Sequence, residues 1–185
     1  KCNLKDIDVA IDFSTPETAF NNISHAIKHN IPIISGTTGW LEKLEEIKKL
    51  CTQYNGSFLY ASNFSIGVNM FFKLNIELAK LMQDKIYTTS ISETHHLEKL
   101  DKPSGTAKTL SKDIQKELKI TPNIISHRLE NKIGTHEIKY ASEIDSIKIV
   151  HEAKTRDGFA YGALLAAEWI RNKKGIFSMQ DVLSL

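Results

Sequence analysis

The chain is 185 residues long, 41% hydrophobic and 25% charged, the proportions of an ordinary folded protein with room for one large domain or two small ones. Lys plus Arg number 24 against 22 Asp plus Glu, a formal net charge of +2, so no strong field draws nucleic acid or an anionic membrane. No apolar run approaches the ~20 residues of a membrane span, no signal peptide is evident, and Cys2 and Cys51 lack metal-ligand spacing. The expectation is a cytoplasmic protein with free thiols.

In chain order, residues 8–13 read as a short buried strand. Ser14-Thr15-Pro16-Glu17 is a helix start: hydroxyl caps, a proline where no amide partner is needed, and an acid at the positive helix end. Ala19, Phe20, Ile23, Ala26 and Ile27 then recur on one helical face. Residues 31–34 form the next strand, closed by Ser35-Gly36-Thr37-Thr38-Gly39; a second amphipathic helix is predicted over 41–54 and a third strand over 57–61. Strand, helix, strand, helix, strand at this spacing implies parallel strands with right-handed crossovers, half of a doubly wound sheet.

After Phe64 the rhythm changes. A helix is predicted over 68–82, a β-branched strand over 86–93, a polar segment over 95–106 and a helix over 106–118. Strand-like stretches follow at 123–128, 136–141 and 144–152, and such consecutive strands with short turns suggest antiparallel pairing in an α+β domain. An apolar helix at 159–172 and a short closing segment at 176–183 complete the chain. The fold class is therefore α/β: a partial Rossmann-like parallel domain from 1–64 and 157–185, and a mixed-sheet α+β domain from 65–156.

In an open parallel sheet, ligands bind beyond the carboxyl ends of the strands. Asp12-Phe13-Ser14-Thr15-Pro16, Gly36-Thr37-Thr38-Gly39 and Ala61-Ser62-Asn63-Phe64 fall there. Each is also readable as an ordinary turn. Gly36-Thr37-Thr38-Gly39 is the most suggestive, because two glycines around two hydroxyls exceed what a turn requires. A stronger constellation runs from His95 to Thr106. His95 and His96 offer acid/base groups near neutral pH, Lys99 a cation for a carboxylate or a proton, and Pro103-Ser104-Gly105-Thr106 a helix start that favours an anion. These parts suit a small dicarboxylate undergoing protonation. Zinc is the competing reading, but adjacent histidine ligands are awkward and neither Cys nor HExxH supports it, so no metal is expected. Arg156 and Asp157 also read as a surface charge and a helix cap, and His25, His29, His127 and His136 as solvated or structural.

His95-His96-x-x-Lys99-x-Asp101-x-Pro103-Ser104-Gly105-Thr106 resembles the signature of 4-hydroxy-tetrahydrodipicolinate reductases. Four further segments match that family in the same order. They are Asp12-Phe13-Ser14-x-Pro16, Gly36-Thr37-Thr38-Gly39, Asn63-Phe64-Ser65-x-Gly67-Val68-Asn69 and Gly175-Ile176-Phe177-x-Met179-x-Asp181-Val182-Leu183. The resemblance implies reduction of a cyclic imine dicarboxylate by NADH or NADPH in lysine and diaminopimelate biosynthesis. By resemblance His95 is the acid/base group and Lys99 the proton donor near the ring nitrogen, while His96, Lys99, Ser104, Gly105 and Thr106 hold the carboxylates. Gly36, Thr37 and Thr38 lie between nicotinamide and substrate, Phe13, Asn63 and Phe64 line the cofactor, and Arg156 approaches the nicotinamide side. The resemblance also implies a homotetramer built through the second domain's sheet. Two departures follow. The family opens with a strand and a Gly-x-x-Gly-x-x-Gly turn that seats the pyrophosphate, and nothing before Asp8 supplies it. From Arg128 to Asp145 the chain is shorter than in many relatives. The alternative is a non-catalytic oligomerisation or regulatory relative that has lost cofactor binding, and the intact His95, Lys99 and Ser104-Gly105-Thr106 argue against it.

Overall fold

Two units, each with its own sheet and core, divide the chain: residues up to Ile66 together with Asp157–Leu185, and Gly67–Arg156. The computed structural model describes residues 6–185; Cys2 lies outside the described residues. Cys51 is a buried free thiol.

In the first unit, β1 (Ala10–Asp12), β2 (Ile33–Ser35), β3 (Ser57–Tyr60) and β8 (Gly175–Phe177) form a wholly parallel sheet in the order β1-β2-β3-β8. Side chains alternate across its faces. Ile33 and Phe58 pack with Ala19, Ile23 and Ile27 of α1 (Pro16–Lys28) and Ile47 and Cys51 of α2 (Leu44–Gln53). Ile34 and Leu59 pack on the opposite face with Ala163, Ala166 and Ile170 of α5 (Asp157–Ile170) and Met179 of α6 (Met179–Leu183). The expected helix over 41–54 begins instead with a 3-10 turn at Leu41–Lys43. The expected buried strand 8–13 shortens to three residues at the sheet edge, where Ile11 is half-exposed and Phe13 is 56% exposed. Among the described residues this strand pairs with β2 alone.

In the second unit, α3 (Ile66–Leu81) and α4 (Gly105–Leu118) accompany β4 (Thr88–His95), β5 (Asn123–Arg128), β6 (Gly134–Ala141) and β7 (Ser146–Ala153). The sheet order is β5-β4-β6-β7. Phe71, Ala79, Ile91, Leu110, Ile114, Ile138 and Tyr140 make its core. The expectation that β5, β6 and β7 pair antiparallel in succession holds for β6 and β7 but fails for β5. That strand lies parallel to β4 on the other side, because α4 carries the chain across as a crossover. The strand expected to stop at residue 93 also continues to His95.

Candidate functional site

The register of the second sheet assembles one cluster. Ile91, Glu93 and His95 alternate onto the buried face of β4. Glu93 faces His136 across β6 and Ser126 across β5, and Arg128 stands opposite His95. Because β4 and β5 run parallel, their carboxyl ends and the start of α4 lie together, as the crossover rule requires.

Glu93 is fully buried and His95 and His136 are 7% and 5% exposed. Both Glu93 oxygens accept from the Ser104 N–H at 3.2 Å, and Oε1 also receives Arg128 Nη1 and Nη2 at 3.3 Å. His95 Nδ1 lies 3.2 Å from Glu93 Oε2, near enough for charge attraction but off the hydrogen-bonding direction, so this buried nitrogen has no hydrogen-bond partner. Burial raises the Glu93 carboxyl, yet hydrogen bonds from Ser104 and Ser126 and the charge of His95 outweigh it and hold the group below the usual range. Burial lowers the His95 proton affinity; Glu93 opposes this, while Lys99 and Arg128 add to it. Burial, together with His95, pushes His136 down to about 4.

Ser104 caps α4: its Oγ accepts from the Ala107 N–H at 3.2 Å and meets His136 Nε2 at 3.0 Å. With its own N–H on Glu93, Ser104 is committed to holding the helix start, and Gly105 and Thr106 stand at the more open first turn. Lys99 Nζ pairs with Asp101 Oδ1 at 2.7 Å. Arg128 reaches over this loop, donating from Nε to Lys99 O at 3.2 Å and from Nη2 to Asp101 O at 2.6 Å. Beside it, His96 Nε2 lies 3.4 Å from Arg156 Nη2, both lining an open cavity of about 500 Å³ with Glu98, Lys132 and Ile133. Glu93, His95 and His136 present donor atoms within 4.8 Å of one another, as a metal site would. The carboxylate is already matched by Arg128 and the Ser104 amide, an arrangement that opposes a further cation.

In the first unit the strand-end turns are tied to a single carboxylate. Asp12 accepts from Ser14 Oγ (2.7 Å), Asn22 Nδ2 (3.1 Å), Ser35 Oγ (2.8 Å) and Thr37 Oγ1 (2.8 Å). Thr37 Oγ1 in turn accepts the Ser14 N–H at 2.9 Å, and Thr37 O accepts from Trp40 Nε1 at 2.7 Å. The Thr37 hydroxyl is thus engaged in both directions and buried, and Thr38 is the exposed threonine of the turn. Phe13 lies over Gly36, where a Cβ would stand 2.2 Å from its ring, and its centroid is 5.4 Å from that of Phe64. Asn63 Oδ1 accepts the Ser65 N–H at 2.9 Å at the start of α3.

The structure therefore brings together His95, Lys99, Ser104, Gly105 and Thr106 in one unit, with His96 and Arg156 beside them. Phe13, Gly36, Thr37, Asn63 and Phe64 come together in the other. Sequence reasoning missed Glu93, Arg128 and His136. The signal for Glu93 was its parity: it shares the face of Ile91 and His95. His136, read as solvated or structural, is buried against Ser104.

Two family models match, described as dihydrodipicolinate reductase, N-terminus, over residues 1–64, and dihydrodipicolinate reductase, C-terminus, over residues 67–183. The 4-hydroxy-tetrahydrodipicolinate reductase of Christiangramia forsetii is 49% identical over 192 residues, covering 97% of this chain and 80% of that one. The enzyme of the same name from Rickettsia rickettsii is 38% identical over 196 residues, covering 98% and 81%. That from Methanoregula boonei is 35% identical over 199 residues, covering 98% and 76%. Among solved structures, dipicolinate-bound dihydrodipicolinate reductase from Paenisporosarcina sp. TG-14 superposes with a TM-score of 0.80 at 23% identity, covering 94% of this chain and 73% of that one. That likeness speaks for the fold.

Proposed function

The chain belongs to the dihydrodipicolinate reductase family, and on that premise we infer that it reduces 4-hydroxy-tetrahydrodipicolinate to tetrahydrodipicolinate in lysine and diaminopimelate biosynthesis. The net change consumes one hydride and one proton and releases one water. The observation that carries this reading is the convergence of buried His95, the Lys99 ammonium and the first turn of α4 within one unit.

The N-terminal turn of α4 at Gly105 and Thr106 offers amides and the positive end of the helix dipole to one substrate carboxylate. Lys99 and His96 supply further donors. His95, whose burial lowers its proton affinity, is neutral near pH 7 before substrate arrives. Two carboxylates then raise that affinity, so the ring gains a proton as it gains the substrate that uses it. When bound, reduced nicotinamide supplies the hydride. The residues of this chain fit that group: Gly36 carries no side chain beneath Phe13, and the exposed Phe13 ring, backed by the buried and tilted Phe64, offers an apolar surface. Phe13, Gly36, Thr38, Asn63 and Phe64 would hold it, and Thr37 would fix the turn.

NADH or NADPH serves as cofactor in this proposal. The domain division is nucleotide binding by 1–64 and 157–185, and substrate binding by 65–156. The second sheet turns Ile125 and Val150 outward, which supports assembly of a homotetramer through it. Cytoplasmic placement accords with the free Cys51. The test is oxidation of NADH and of NADPH by this polypeptide, with substrate generated in situ by the preceding synthase, alongside light scattering for the assembly. Substrate-dependent turnover with either cofactor is expected. Dipicolinate binding without turnover under any cofactor would instead support a non-catalytic relative.

A further inference from the structure

We propose that Glu93, buried beneath the signature loop and paired with Arg128, is the positioning residue that holds both the His95 ring and the Lys99 loop in working register. The proposal rests on the reading of His95 as the acid/base group.

The sheet has little structural need of a carboxylate at this point. Behind it on the same face Ile91 and Ile138 belong to the apolar core, while its direct neighbours are His95, His136 and Ser126. An apolar side chain would fill the space without the desolvation that a buried charge entails. Glu93 instead touches a residue from every element that builds the site. It accepts from the amide that starts α4, from the Arg128 guanidinium at the end of β5, and it lies 3.2 Å from His95 Nδ1 and 3.8 Å from His136 Nε2 of β6. Arg128 carries the hold outward, binding the Lys99 and Asp101 carbonyls. The ammonium of Lys99 is thereby launched from a backbone anchored to the same carboxylate that flanks His95. On its other flank the His95 ring rests against Gly134, where a Cβ would stand 3.2 Å from Cδ2 and Nε2. Carboxylate on one side and bare backbone on the other leave the ring little freedom to turn.

The charge of Glu93 matters beyond its shape. The groups facing His95 are Glu93 on its own strand, Lys99 and Asp101 on the loop, Arg128 on β5 and His136 on β6, with His151 of β7 beyond His136. Removing the Glu93 charge leaves two cations opposed only by Asp101, so the proton affinity of His95 must fall.

Three variants test this, read by rate against pH and by NMR titration of the His95 ring. His95→Gln comes first. If the pH limb seen in the wild type persists in this variant, the acid/base reading of His95 fails, and the positioning proposal with it. If that limb disappears, Glu93→Gln, which keeps size and a Ser104 acceptor, decides the positioning role. The expected result is a fall in kcat of about tenfold or more, with limb and ring titration moved to lower pH by about half a unit or more. Wild-type kcat and an unmoved titration would overturn the proposal while leaving the reading of His95 intact. Should Glu93→Gln not fold, Arg128→Lys keeps the charge but cannot reach two carbonyls and the carboxylate together. The expected change there is a rise in KM of about tenfold through the loosened Lys99 loop, and wild-type KM would overturn the proposal.

Discussion

Gly162 lies in the middle of α5, where alanine is ordinarily the better residue by about 1 kcal/mol. The structure reverses that sign. A Cβ at this position would stand 1.8 Å from Phe64 O and 2.8 Å from Phe64 C, against a carbon-to-oxygen approach of about 3.3 Å. The atom met is backbone, not the free end of a side chain, so α5 and the 61–64 turn must separate by about 1.5 Å. That movement opens the contacts of Ala163 and Ala166 with Ile34 and Leu59. Overpacking of a formed core costs about 1–3 kcal/mol, and this displacement belongs at the upper end, for a net loss of about 2 kcal/mol after the helix gain. Both tryptophans, Trp40 and Trp169, belong to this unit, so their fluorescence in a urea titration follows its unfolding directly. Gly162→Ala is expected to unfold at lower urea and to bind nicotinamide more weakly, since Phe64 moves, while dipicolinate binding stays unchanged. A variant as stable as the parent, or more stable by the helix increment, would refute the close approach.

Three further outcomes are expected. His95→Gln lowers kcat by about 10²–10⁴, the usual worth of a positioned acid or base, with binding of dipicolinate nearly intact by calorimetry; normal turnover would remove the assignment. Lys99→Ala removes a cation from a dicarboxylate site and costs about 1.5–3 kcal/mol, seen as a higher KM together with a lower kcat; loss confined to kcat would point to proton transfer alone. For Asp12, burial raises the carboxyl but the four hydrogen bonds outweigh it and the net position is lowered. Its stabilisation is therefore complete above the unfolded value of about 3.9 and fades as pH falls through the folded value beneath that. Asp12→Asn should thus lose stability at pH 7 by about 1–3 kcal/mol, and the gap to the wild type should close on acidification. A gap independent of pH would show that the carboxylate is not ionised in the folded protein.

The parallel half of the fold was legible because its rules are local. Pro16 after two hydroxyls opens a helix, Ile33-Ile34 between polar segments reads as a buried strand, and the alternation leaves one sense of crossover. The place of β5 was not legible. Residues 118–123 look like any short link between a helix and a strand, and which side of β4 the chain reaches is decided by the packing of α4 on the sheet. The signature loop was legible as chemistry, since histidines, a lysine and a helix start crowd into twelve residues. Its support was not. Glu93 belongs to a strand, Arg128 lies 35 positions away, and His136 comes from a third strand, so only the register shows that they meet. Thr37 and Ser104 illustrate the converse: both read as ligand-facing hydroxyls, and both are engaged in holding the turns on which they sit.

The first unit is discontinuous in the chain. Residues Gly67–Arg156 (156 − 66 = 90 residues) separate its two parts, yet Ser65 Oγ lies 3.8 Å from where a Gly158 Cβ would stand. Were the intervening 90 residues a loose coil, closing that loop would cost about 4 kcal/mol in chain entropy. A second unit already folded meets most of that cost beforehand and delivers α5 and β8 to the waiting edge of β3. Synthesis runs in the same order: β3 emerges long before the strand that completes its sheet. The order of the chain thus leaves that edge open until the second unit has been made, and a substitution that slows the folding of the second unit would be felt as an exposed strand edge in the first.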